Sequence, residues 1–180
     1  MLDAHNRAIT TVEAMIRGWN AHDIDAYLRD TTDDIVWDDP TWGVPAVGRR
    51  EVRQLGEAVL RAFPDFVYTI RQPICVAADA SHCAVPWHIE ATHLARLDPP
   101  GYEPTGRKTT FDGVDMITFR DDLVCRIDTH VNFLTVLEQL FGLKLLPARG
   151  SLAEKLGVRA QHLYAAWLRS RAARAAARTP

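Results

Sequence analysis

Apolar residues at Ile9, Val12, Ile16 and Trp19 recur at the three- and four-residue spacing of an amphipathic helix, predicted over 6–21. His22-Asp23 interrupts the pattern, and Asp23 is a suitable N-cap for a short second helix over 24–29. Residues 32–37 read as a short strand, stopped by Pro40 because proline cannot continue a central strand. Val52, Leu55, Val59 and Leu60 mark the inner side of a third helix over 49–63, which opens after Gly48 and ends at Pro64-Asp65. The texture then changes. Segments 66–77, 82–95, 108–120 and 123–131 are rich in aromatic and β-branched residues. They are separated by turn chemistry at Asp79-Ala80-Ser81, in the loop 98–106, and at Asp121-Asp122. A last helical pattern covers 133–141 and closes at Gly142.

Helices first and strands afterwards is an α+β order, without the alternation of a parallel, doubly wound sheet. One domain over 1–142 is expected, followed by a helical extension over 143–180. The extension is rich in alanine and arginine, with Leu152, Leu156, Leu163 and Trp167 at near-helical spacing. An amphipathic helix packing on the domain or on a second subunit is the expectation, in preference to a nucleic-acid or membrane role.

Composition narrows the function. The net charge of −2 provides no basic field for nucleic acid. The three cysteines, Cys75, Cys83 and Cys125, are odd in number and lack CxxC spacing, which reads as buried thiols in a reducing compartment. No apolar run approaches the ~20 residues of a membrane span, and the first residues lack the basic and apolar regions of a signal peptide. The expectation is therefore a cytoplasmic protein with no membrane partner.

The acidic pair Asp121-Asp122 suits a two-residue hairpin loop. If Arg120 and Leu123 flank it, the regular ladder sets Asp115 opposite Asp128 and Gly113 opposite His130. By alternation, Phe111, Asp115, Ile117 and Phe119 then share a face with Arg126, Asp128 and His130. Two facing carboxylates are unfavourable unless one is protonated or a cation intervenes. On so apolar a strand, such an acid has the character of a proton-transfer group whose pKa is raised by desolvation. On the preceding strand, His93 would share a face with Trp87, Ile89 and Ala91 and point inward beside Asp115. The competing reading makes Asp115 and Asp128 surface acids with Arg126 pairing one of them, and His93 and His130 structural or surface histidines. The opposite face, with Val114, Met116, Cys125, Ile127 and Val131, would form a homodimer interface.

The order Trp19-Asn20-Ala21-His22-Asp23, then Thr32 through Pro40, then Ala62-Phe63-Pro64-Asp65 resembles the opening of the SnoaL-like polyketide cyclases, members of the nuclear transport factor 2-like superfamily. Ala91-Thr92-His93, Pro104 to Arg107, Phe111-x-Gly113-Val114-Asp115, Phe119-Arg120-Asp121 and Leu137 to Leu140 continue it, so the likeness covers about 6–142. The resemblance implies a cone of curved antiparallel sheet wrapped by the N-terminal helices, with a deep cavity for a small hydrophobic ligand. It implies Asp115 as acid/base in an intramolecular aldol closure, His93 as a pocket histidine, and no metal or organic cofactor. Trp87, Phe111, Ile117 and Phe119 would hold a flat substrate. Trp37 and Trp42 at the rim and Tyr27 are further candidate contacts. Asp38 lies in the region from which ketosteroid isomerases of this superfamily draw an acid. Pro86 predicts a bulge or edge, and Asn132 replaces an acid often found before the last helix. Two rival functions remain open. One is a non-catalytic binding or assembly protein. The other is epoxide hydrolysis, disfavoured because the Arg-x-Asp that this chemistry needs is replaced by 88–93.

Overall fold

The computed structural model describes residues 2–142 and 147–176. The chain divides into two compact units, 1–143 and 144–180. The first begins with α1 (Leu2–Asn20), which buries Val12, Met15 and Trp19. Asp23 caps α2 (Ile24–Leu28) by accepting from the Ala26 amide at 2.9 Å. Strand β1 (Thr31–Asp38) is followed by the two-residue β2 (Ala46–Val47) and by α3 (Gly48–Ala62). The expected strand over 66–77 is two strands, β3 (Val67–Ile70) and β4 (Cys75–Val76), with Pro73 between them. The long strands β5 (His82–Thr92), β6 (Lys108–Arg120) and β7 (Leu123–Val131) lead into α4 (Phe133–Phe141). Asn132 caps α4, and Gly142 closes it in the left-handed conformation at φ 71°.

The sheet runs β2-β1-β7-β6-β5-β3, with β4 also on β5. It is antiparallel except where β1 lies parallel to β7. The fold is therefore α+β, a curved, unclosed sheet with its helices against one face. Pro86 pairs with Val114 in an unbroken β5–β6 ladder, so of the bulge or edge expected there the bulge is absent and a local edge is present. It falls between the stretches of β5 that pair with β3 and with β4, where its missing N–H is least needed.

The bulge lies elsewhere, and it resets the register. Asp121 and Asp122 both have positive φ, 54° and 64°, in a two-residue turn, and Arg120 pairs with Leu123 as expected. Between Thr118 and Phe119 the ladder shifts: Phe119 opposes Val124, whereas Thr118 opposes Arg126. Cys125 is thus the extra residue of a β-bulge, its thiol 3.4 Å from the Thr118 carbonyl. Beyond it Asp115 faces Thr129, not Asp128, and Val114, not Gly113, faces His130. The regular ladder assumed from sequence is therefore wrong by one residue, and one residue exchanges the faces of a strand.

The second unit contains α5 (Leu152–Ala176). Ser151 caps it, its hydroxyl accepting from the Glu154 amide at 3.1 Å, while the Glu154 carboxylate accepts from the amide of Gly150, one residue before the cap. Along the helix Tyr164 stacks on Trp167, and the Arg171 guanidinium lies 4.8 Å from the Trp167 ring centre. The remainder of the extension expected from sequence, 143–146 and 177–180, lies outside the described residues.

Candidate active site

A cavity of about 160 Å3 lies between the inner face of the sheet and helices α1, α3 and α4. That is comparable with an engineered protein cavity that takes up benzene. Alternation along β5 turns Trp87, Ile89 and Ala91 into it, and alternation along β6 adds Phe111, Asp115 and Ile117. Strand β7 contributes Ile127, Thr129 and Val131, whereas Trp37 and Trp42 enter from β1 and the loop after it. The walls are almost wholly apolar, so the few polar groups stand out.

Asp115 is the centre of these groups. Its Oδ2 accepts from the Tyr68 hydroxyl and its Oδ1 from the Thr129 hydroxyl, each at 2.9 Å. Thr129 in turn accepts from the Trp37 indole N–H at 3.1 Å. The Trp87 indole N–H is buried without a hydrogen bond of good geometry, yet close enough to favour the ionised carboxyl. Burial dominates and pushes the Asp115 pKa up to about 6, against the opposing effect of these donors, while Asp39 adds to the rise.

The supports of Asp115 are themselves held by the fold. Asn20 at the end of α1 grips the Tyr68 backbone from both sides, donating to its carbonyl and accepting from its amide at 2.8 Å each. Trp87 lies flat on β6 because its cross-strand partner is Gly113, where a Cβ would come within 2.2 Å of the indole. Tyr27 approaches because α2 packs on Gly18, where a Cβ would stand 2.7 Å from the Tyr27 amide. The Tyr27 hydroxyl has no hydrogen-bond partner among the described residues. Burial first, then the fields of Asp115 and Asp39, raise its pKa well above the ordinary tyrosine value, so it stays a proton donor.

Several residues marked from sequence lie elsewhere. Asp128 and His130 are on the outer face. Asp128 is bound there by Arg126 at 2.8 and 2.9 Å, and Arg126 also reaches Asp38 at 3.2 Å. Asp38 is thus an outer-face residue too. His93 is fully buried but does not line the cavity; it stacks on Phe63 with ring centres 5.1 Å apart. Asp115 pairs with Val85, so His93 is displaced by eight residues, about 25 Å along the strand, and does not stand beside the acid. Burial lowers its pKa. Phe119 packs on the core without reaching the cavity wall. Ile127 and Val131, expected on a dimer face, line the cavity because of the Cys125 bulge.

Three site residues escape a reading of the sequence: Asp39, Tyr68 and Thr129. For Asp39 the signal exists, since β-alternation from an inward Trp37 turns Asp39 inward and Asp38 outward. Asp39 lines the cavity, accepts from the Thr41 amide at 2.8 Å, and has a pKa raised mainly by burial. Thr129 follows from the bulge, and Tyr68 from the β3–β5 pairing, neither of which is written in a local pattern.

A curved sheet closed by helices over an apolar cavity with buried acids defines a nuclear transport factor 2-like fold. The SnoaL-like domain model matches residues 12–127, and the chain belongs to that family. No curated protein matches the sequence. Among solved structures, AclR of Streptomyces galilaeus, provisionally assigned as a hydroxylase, is 24 % identical with a TM-score of 0.63, covering 76 % of this chain and 96 % of its own. A protein of Xanthomonas campestris pv. campestris, provisionally assigned as a polyketide cyclase, is 17 % identical with a TM-score of 0.65, covering 76 % and 98 %. TerC, crystallised with polyporic acid, is 18 % identical with a TM-score of 0.61, covering 74 % and 97 %. At these identities the likeness speaks for the fold.

Proposed function

We propose that the protein is a cofactor-independent acid/base enzyme acting on a small, flat, hydrophobic carbonyl compound, of the cyclase or isomerase kind. The observation that carries this reading is the Asp115 carboxyl, held at both oxygens inside an apolar cavity and poised to titrate near pH 6. Such a group is mostly ionised at neutral pH yet readily protonated, which is what a carbon-acid base requires. The ionised carboxylate takes a proton from the carbon next to a carbonyl. The Tyr27 hydroxyl donates a hydrogen bond to the oxygen on which the enolate charge collects. The proton then returns from Asp115 to carbon in an isomerisation, or the enolate carbon attacks a second carbonyl of the same molecule in a ring closure and the protonated Asp115 gives its proton to the resulting alkoxide. Tyr68 and Thr129 hold the carboxylate in place, and the aromatic walls present the flat ligand to it. His93, Asp128 and His130 have no part in this mechanism. The SnoaL-like family, the provisionally assigned polyketide cyclase of Xanthomonas campestris and the co-crystallisation of TerC with polyporic acid favour a carbonyl-bearing ligand.

The test needs no knowledge of the natural substrate. 2-Tetralone, a flat apolar ketone, is incubated with the protein in deuterated buffer, and exchange at C1 is followed by proton NMR. The expected result is exchange well above the buffer rate, reduced at least ~100-fold in Asp115→Asn. Exchange at the same rate with the variant and the wild type would refute the role of Asp115. Binding without any exchange would make the cavity a carrier site.

A further inference from the structure

The two carboxylates of the cavity are not satisfied alike. Asp115 receives hydrogen bonds from two side chains on two strands, Tyr68 and Thr129, with the Trp87 N–H close by. Asp39 receives donors from Thr41 alone, and among the described residues no cation pairs with it. A carboxylate has about four acceptor positions, and leaving them empty in an apolar space is costly. Asp39 therefore faces the cavity with acceptor capacity that the protein does not use.

Register fixes where that capacity lies. Asp38 pairs with Asp128 in the parallel β1–β7 ladder, and Thr129 pairs with Asp115 across β7–β6. Asp39 is the first residue past the end of β1, and continuing the same register by one residue brings it level with Thr129. Asp39, Thr129 and Asp115 thus form a row over three adjacent strands, with about 10 Å between the outer Cα atoms. The Trp37 and Tyr27 rings, 6.3 Å apart, stand beside this row, and the Tyr27 hydroxyl is a polar group there with a proton to give. The polar end of the cavity thus offers free donors in the Tyr27 hydroxyl and the Trp87 indole N–H and an under-used acceptor in Asp39, beside the fixed carboxyl of Asp115.

We infer that Asp39 is a specificity residue of this cavity, receiving a hydroxyl of the ligand, so that the preferred ligand is a flat apolar molecule bearing a hydroxyl as well as a carbonyl. This rests on the acid/base reading of the site and adds the substrate class to it. A ligand with the carbonyl alone satisfies Tyr27 and leaves Asp39 wanting. A ligand with both groups satisfies the two at once, and a site that hydrogen-bonds a hydroxyl discriminates strongly against analogues lacking it.

The test compares 2-naphthol with 2-methoxynaphthalene, which keeps the rings and the oxygen but has no proton to donate. Affinities are read from quenching of tryptophan fluorescence, since Trp37, Trp42 and Trp87 line the cavity. The wild type is expected to prefer the naphthol by about tenfold or more, a preference reduced about tenfold in Asp39→Asn and retained in Asp115→Asn, because a charge-assisted hydrogen bond is roughly twice as strong as a neutral one. Asp39→Ser is a second replacement, and whichever variant keeps the wild-type thermal melt is the one read. A preference that survives the loss of Asp39, one that disappears only with Asp115, or no binding of either naphthalene overturns the inference. The 2-tetralone exchange reports on Asp115 separately, so failure of the specificity role and failure of the acid/base reading are told apart.

Discussion

Thr129 donates its hydroxyl to Asp115 across the β6–β7 ladder at 2.9 Å, while Asp128, its chain neighbour, is turned to the other face and bound by Arg126. A single bulge residue, Cys125, separates this arrangement from one in which two carboxylates would face each other. The cavity then contains one acid supported by hydroxyls from two strands, and the second acid of the row comes from the residue that follows β1.

The raised pKa of Asp115 has a consequence for stability. Its ordinary value is 3.8 and its value in the folded chain is about 6, so the folded state holds the proton more tightly than the unfolded chain does. The contribution of Asp115 to wild-type stability therefore falls as pH rises from about 4 to about 6, and its full cost is present above pH 6. Asp115→Asn has no such dependence. Its stability relative to wild type is expected to be higher at pH 7 than at pH 4 by about 2–3 kcal/mol, since each tenfold difference in proton affinity between the two states corresponds to about 1.4 kcal/mol. Urea denaturation of both proteins at several pH values measures this, and a difference constant with pH would contradict the burial of Asp115.

The hydroxyls that hold Asp115 favour its ionised form. Thr129→Val and Tyr68→Phe should each raise its pKa above about 6, by roughly one pH unit if each bond to the carboxylate contributes about 1.5 kcal/mol. Carboxyl carbon NMR of labelled aspartate, assigned with Asp115→Asn, follows the titration. A fall in either variant would show that the hydroxyl accepts from a protonated Asp115.

Gly113→Ala should displace Trp87, since the new Cβ would lie 2.2 Å from the indole. Overpacking of this kind costs about 1–3 kcal/mol. Chemical denaturation should show that loss, together with a changed tryptophan emission spectrum. Unchanged stability and emission would mean that the ring does not rest on Gly113.

Asp38→Asn provides the contrast with Asp39. It breaks a half-exposed ion pair to Arg126, worth no more than about 1 kcal/mol. The Asp115 titration should be unchanged, while Asp39, whose pKa the Asp38 carboxylate helps to raise, should ionise more readily. A shift in the Asp115 titration would place Asp38 in the field of that carboxyl.

Much of the fold is legible in the sequence because long segments have strong periods. The strands over 108–120 and 123–131 and the helix over 133–141 follow from alternation, turn chemistry and a closing glycine, and they stand where expected. The segment 66–77 reads as one strand because β-rich residues run through it, whereas Pro73 can only be accommodated where β3 gives way to β4. The candidate site is legible only in part. Trp37 and Trp87 signal apolar walls, but choosing between Asp38 and Asp39 requires the alternation to be carried one residue past the strand end.

By itself the sequence determined the elements, their α+β order and the placing of an acid on an apolar strand, because these depend on local propensity and on periods of 2 and 3.6 residues. Only the tertiary structure decided which acids meet. A bulge is a two-strand event, and no single-strand pattern announces that Cys125 will be left over. Likewise the parallel seating of β1 on β7, which aligns Asp39 with Thr129 and Asp115, joins segments roughly ninety residues apart and exists only once the sheet has formed.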